Sequence, residues 1–164
     1  MIDGIIIKKL KVHPDVPDTE STGRRGFLME VLRDDDGLLK HFGQTTFTVA
    51  YPGTIKAFHW HKHQNDLWFV ASGTARIVLH DLRPHSRTRG QTDVFLAGTD
   101  EYQLLVIPPG VAHGYQVVSD EAVLLFYHTD RSYNPSHPDE ERIRYDDPRI
   151  NFDWSKNQKL TSIT

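Results

Sequence analysis

The chain has 164 residues, 38% hydrophobic and 25% charged, with a formal net charge of −3. That balance fits one soluble domain over residues 1–164 with a sizeable core, and argues against a nucleic-acid or anionic-membrane surface. There is no cysteine, so disulfide scaffolds and thiolate metal sites are excluded.

The N-terminal MIDGIIIKKL has a short apolar run with its lysines after it. A secretory signal has them before. No apolar run is long enough to span a bilayer, so the expectation is a cytoplasmic protein with no membrane partner. GIIIKKLKV is β-branched and reads as a strand closed by Pro14 and Pro17. DDDGLLKHFG holds at most one short helical turn, with acids early and Gly43 after it. QTTFTVAYPG reads as a strand ended by Pro52-Gly53.

FHWHKHQND follows. On a strand, side chains alternate faces. His59, His61 and His63 then share one face, and Phe58, Trp60 and Lys62 the other. LWFVASGTARIVLHDLR reads as two strands with Ser72-Gly73 at the turn. The second alternates Ala75, Ile77 and Leu79 against Arg76, Val78 and His80. TDVFLAG, YQLLVIPPG, HGYQVVSD and AVLLFYHTD follow at regular spacing, each bounded by Gly, Pro, Asp or Ser. Many short strands with turn punctuation predict an all-β sandwich or barrel. The C-terminal YDDPRINFDWSKNQKLTSIT begins with turn residues and finishes polar.

Trp68 and Phe69 read as core, and Trp60 as facing outward or into a subunit contact. Arg76, Arg83, Arg87 and Arg89 are either a phosphate-facing cluster or a solvated face. Asp34 to Asp36 lack the spacing of a calcium loop, and no phosphate loop, GxGxxG or nucleophile elbow is present.

Two spacings carry a resemblance. Gly53, His59-Trp60-His61, Asp66 and Gly73, followed by Pro108-Pro109-Gly110 and His113, are similar to the two cupin motifs, with Asp where Glu is usual. The resemblance implies a cupin double-stranded β-helix, or jelly roll. In metal-binding cupins the matching positions, here His59, His61, Asp66 and His113, hold a divalent transition metal. Three imidazoles and a carboxylate suit Fe, Mn, Ni or Zn.

A narrower resemblance runs from Gly23 to Trp154. RRGFLME, TIKAFHWH, GTARIVLHDLRPHSRTRGQ, LLVIPPGVAHGYQVVSD, LLFYHTDRSYNPSHP and IRYDDPRINFDW resemble, in order, segments of the dTDP-4-dehydrorhamnose 3,5-epimerases. That family removes a proton beside a sugar ketone and returns one on the opposite face. The reaction requires a base, an acid across the pocket and stabilisation of the enolate oxygen. The resemblance implies His59 as base and Tyr127 as acid. It assigns substrate binding to Arg25, Phe27, Glu30, Gln44, Lys56, His113 and Tyr133. It implies a nucleotide-sugar substrate, no cofactor, a role in deoxysugar or polysaccharide biosynthesis, and a homodimer formed by N-terminal strand exchange. In such a dimer Arg25, Phe27 and Glu30 serve the neighbour's pocket.

The chain departs from the family in four places. Lys56 replaces an arginine, Asp66 a lysine, and Ser132 the first tyrosine of a pair. The C-terminal SKNQKLTSIT lacks the acid that orients the family's catalytic histidine, and Asp146 and Asp147 look structural. Exchanging a lysine for Asp66 turns a cation beside the enolate into an anion and completes a ligand set. A histidine that ligates a metal is not a free base, so the two readings compete for His59. The leading expectation is a metal-free isomerase acting on a dTDP-4-keto-6-deoxyhexose. The alternatives are a metal-dependent cupin enzyme and a sugar-binding cupin without catalysis.

Overall fold

The computed structural model describes residues 1–15, 25–156, 160 and 161. Its strands are β1 (Ile6–Lys9), β2 (His13–Pro14), β3 (Phe27–Leu28), β4 (Gln44–Ala50), β5 (Ile55–His61), β6 (Asp66–Ser72), β7 (Thr74–Asp81), β8 (Thr92–Gly98), β9 (Gln103–Ile107), β10 (Val111–Val117), β11 (Val123–Thr129) and β12 (Glu140–Arg142). The one helical element among the described residues is a 3-10 turn, Asp34–Asp36. It ends at Gly37, with φ 67, rather than at Gly43. Gly43 is needed for a close approach instead: a Cβ there would lie 2.2 Å from the Arg131 carbonyl carbon. No helix among the described residues is long and apolar enough to cross a membrane.

The first sheet has the order β1-β9-β6-β11-β4, the second β12-β5-β10-β7-β8, and β2 and β3 form a separate ribbon. All pairings are antiparallel. The main core lies between the two large sheets. Trp68, Val70, Leu105, Ile107 and Leu125 of the first meet Ile77, Leu79, Phe95, Val111 and Val117 of the second. This is the all-β jelly roll that the sequence predicts.

Both outer faces are covered too, which explains why β7 is buried almost throughout despite its alternation. On the second sheet, Val78, Phe58 and Ala112 pack under Ile143, Ile150 and Trp154 of the C-terminal segment. On the first, Leu67, Phe69, Leu104 and Val106 pack under Leu10, Met29, Val31, Leu32, Leu38 and Leu39. Each fully buried aliphatic side chain contributes about 1.5–3 kcal/mol. Trp60 packs against the second sheet's outer cluster and is half-buried.

The arginines do not gather into a phosphate cluster. Arg76 is buried and donates to Gln116 Oε1 and to the Trp154 and Lys156 carbonyls. It thereby ties the C-terminal segment to the second sheet. Arg83 is held by Asp81 at 2.8 Å, while Arg87 and Arg89 are exposed.

Candidate active site

Strands β5 and β10 are paired out of even register. His59 lies opposite His113, but Lys56 lies opposite Tyr115. Two residues of β5, Ala57 and Phe58, therefore face the single Gly114. Such a bulge bends a strand and redirects side chains beside functional sites. Gly114 makes it fit: a Cβ there would sit 2.4 Å from Ala57 Cβ and 2.8 Å from the Lys56 carbonyl oxygen. As a result the His59 and His113 rings meet edge to face, with centroids 4.1 Å apart.

The bulge opens onto a cleft of about 1120 Å³ between the sheets. Lys56, His59, His61 and Tyr115 line it from the second sheet, and Gln44, Thr46, Trp68 and Tyr127 from the first. Tyr133 and Arg131 come from the loop after β11, and Arg142 from β12. Tyr127 is thus on the wall opposite His59, as a two-face proton transfer requires.

The position of His59 is set by packing. Its ring lies 4.1 Å from His113, 5.5 Å from His61 and 6.0 Å from Trp68, centroid to centroid. Burial, reinforced by His113, pushes its pKa down from 6.5 to about 2, and Asp66 opposes the shift. The imidazole is neutral at pH 7. His61 is lowered for the same first reason. Burial also pushes the Tyr115 hydroxyl up to about 12.

Behind the cleft wall lie Asp66 and His113, each 1% exposed. Burial raises the Asp66 carboxyl, but His113, His61 and Gln64 outweigh it and hold Asp66 below the usual carboxylate range. Gln64 Nε2 donates to Asp66 Oδ1 at 2.7 Å, and Trp68 Nε1 to Asp66 Oδ2 at 3.2 Å. One donor atom from each of His59, His61, Asp66 and His113 fits within 4.8 Å of the others. The four residues of the cupin-like spacing are brought together. His63 is not: β5 ends at His61, and His63 is exposed in the following turn.

The remaining predicted residues divide. Lys56 lines the cleft and donates to Thr48 Oγ1 at 2.8 Å and the Val49 carbonyl at 2.9 Å. Gln44 Oε1 accepts from the Tyr133 backbone N–H at 2.8 Å, which fixes the loop bearing Tyr133. Phe27 lies on the exposed ribbon against Tyr102, and Glu30 pairs with Arg33. Neither these two nor Arg25 lines the cleft of their own chain. Asp146 and Asp147 pair with Arg144 and Arg149, as structural acids do. Arg24 and residues 157–159 and 162–164 of the C-terminal stretch lie outside the described residues.

Sequence reasoning missed the residue that shapes the turn after His61. Asp139 accepts from the backbone N–H groups of Lys62, His63 and Gln64 at 3.1, 3.0 and 3.0 Å. Asp130 adds bonds from Asn65 N and Nδ2. No local pattern in SHPDEE marks that role, because it depends on a strand far away in sequence. Arg142, whose backbone lies opposite His59, was missed for the same reason.

The family model of dTDP-4-dehydrorhamnose 3,5-epimerase matches residues 2–163. The chain belongs to that family. It is 50% identical over 155 residues to the spore coat polysaccharide biosynthesis protein SpsL of Bacillus subtilis, covering 94% of this chain and 97% of that one. A solved dTDP sugar isomerase from Desulfovibrio desulfuricans superposes with a TM-score of 0.84 at 29% identity, over 97% of this chain and 95% of the other. The 3,5-epimerase of Legionella pneumophila, solved with dTDP-4-keto-L-rhamnose, gives a TM-score of 0.79 at 26% identity, over 98% and 83%. Membership confirms the cupin jelly roll and the epimerase class of the fold.

Proposed function

We propose that this protein epimerises a dTDP-4-keto-6-deoxyhexose for polysaccharide assembly, using His59 as base and Tyr127 as acid. The observation that carries the reading is the pair of opposed groups: a half-buried imidazole held neutral on one wall of the cleft, and a phenol on the other. His59 takes the proton from the carbon beside the ketone. The electron pair moves to the ketone oxygen as an enolate. Tyr127 returns a proton to the opposite face of that carbon. Lys56, at the cleft rim, supplies positive charge to the enolate or the diphosphate, and Arg142 offers a planar fork suited to phosphate oxygens. The family membership and the relatives' roles in polysaccharide and dTDP-sugar metabolism support the substrate class.

Arg25, Phe27 and Glu30 lie outside their own cleft, which favours a homodimer in which the β2–β3 ribbon reaches a second copy. We assign the protein to the cytoplasm, where its nucleotide-sugar substrate is expected.

The test is product analysis. Incubation with dTDP-4-keto-6-deoxyglucose, followed by borohydride reduction and sugar identification, is expected to give sugars altered at C3, C5 or both. Unchanged configuration across a panel of dTDP-4-keto sugars overturns the proposal.

A further inference from the structure

The hydroxyl of Tyr115 is a cleft group that the transfer between His59 and Tyr127 leaves unused. Tyr115 stands two residues from His113 on β10, on the same inward face of the strand. It is 3% exposed and lines the cleft. Its ring meets Trp68 edge to face with centroids 5.8 Å apart, and Trp68 in turn lies 6.0 Å from His59. Tyr127 packs against the same core cluster from the other sheet. Tyr115 thus lies where the core meets the space between base and acid.

Its hydroxyl oxygen is fully buried and has no hydrogen-bond partner in the protein. Leaving a buried hydroxyl unpaired costs stability, so the group calls for a partner that the fold does not supply. Burial pushes its pKa up to about 12 against the pull of Thr48, and Tyr127 adds to the rise. The proton therefore stays on the oxygen at neutral pH, ready to be donated. Other donors of the cleft are already engaged. Lys56 Nζ gives protons to Thr48 and to the Val49 carbonyl, Gln44 Nε2 to Thr46, and Ser132 to the Gly43 carbonyl. Asp66, buried on the floor and held as an anion, opposes a second negative charge nearby. An enolate formed here needs a donor to offset that.

We propose that the Tyr115 hydroxyl donates a hydrogen bond to the ketone oxygen of the bound sugar and stabilises it as an enolate while His59 holds the proton. This role rests on the proposed function. The phenol keeps its own proton throughout, and only the strength of the bond changes. A neutral ketone is a modest acceptor and an enolate oxygen a strong one, so the bond tightens as charge develops. A donor fixed in a site of low dielectric acts most strongly on such a charge. Enolisation toward C3 or toward C5 places the charge on the same oxygen, so one hydroxyl serves both.

The test compares wild type with Tyr115→Phe, using dTDP-4-keto-6-deoxyglucose in deuterium oxide. The kcat for deuterium incorporation is expected to fall about 10²-fold, the loss typical of one donor to a developing oxyanion. KM is expected to change little, because the bond is made chiefly in the transition state. The loss is expected to be the same at every carbon that exchanges, and epimerised product is expected to fall with it. The urea midpoint of Tyr115→Phe is expected to equal or exceed that of wild type, since the hydroxyl makes no bond within the fold. Wild-type exchange by the variant, a loss confined to KM, or a loss at one carbon alone overturns the assignment. A lowered urea midpoint also overturns it, by showing that the hydroxyl is bonded within the protein. A wild-type chain that exchanges nothing overturns the epimerase reading and this role with it, whereas an active wild type beside an equally active Tyr115→Phe overturns this role alone.

Discussion

His59 and His113 face each other across β5 and β10, and the distance between them is set by a residue that belongs to neither ring. Gly114, beside His113, lets two residues of β5 bulge against it. Gly114→Ala is therefore expected to destabilise the chain by about 1–3 kcal/mol, the usual range for overpacking. Its exchange rate is expected to fall further than stability alone explains, because the His59 ring is displaced. Denaturant unfolding read beside kcat separates the two effects.

Tyr127→Phe removes the acid and leaves the base. Epimerised product is expected to fall by about 10²–10⁴-fold, the range for a general acid or base. Wash-out of the substrate proton by His59 is expected to persist. Equal loss of both would place Tyr127 in binding rather than in proton return.

Asp139 anchors three consecutive backbone amides of the turn that follows His61. Asp139→Ala is expected to cost about 2 kcal/mol, since hydrogen bonds to charged groups contribute about 1.5–3 kcal/mol. Hydrogen exchange at residues 62–64 is expected to rise selectively. Asp139→Asn, which keeps an acceptor oxygen, is expected to recover part of the loss.

His59 and His61, both lowered by desolvation, make the protein acid-sensitive. His59 binds a proton in the unfolded chain near 6.5 but resists it in the fold down to about 2. Where the unfolded state binds more protons, stability falls as pH falls. The contribution is complete above about pH 6.5 and declines by about 1.4 kcal/mol per pH unit below it for such a group. His61, also lowered, adds to the decline. Asp66 adds its own loss only below its ordinary value of 3.8. Urea midpoints measured from pH 7.5 to 4.5 are expected to fall steadily below about pH 6.5, and His59→Asn is expected to flatten the slope.

Much of the fold is legible because its signals are local. Pro52-Gly53, Ser72-Gly73 and Pro109-Gly110 bracket strands of alternating or solid hydrophobes, and the strands form there. The burial of both faces of β7 is not legible, because the cover comes from Ile150 and Trp154, far along the chain. Within the site, strand alternation places His59 and His61 together. It includes His63 wrongly, because the turn held by Asp139 and Asp130 ends the strand first. Asp66 joins the histidines only through the pairing of β6 with β11 and β9, a long-range contact. The four arginines from Arg76 to Arg89 share a segment but not a surface, since Asp81 and the C-terminal carbonyls take two of them.

The central claim is that His59 removes a proton beside a sugar ketone. It is tested most directly by incubating chelator-stripped protein with dTDP-4-keto-6-deoxyglucose in deuterium oxide and following the sugar by proton NMR and mass spectrometry. Wild-type protein is expected to place deuterium at C3, C5 or both, and His59→Asn to slow that incorporation by at least about 10²-fold. Incorporation at the wild-type rate by a folded His59→Asn chain would contradict the account.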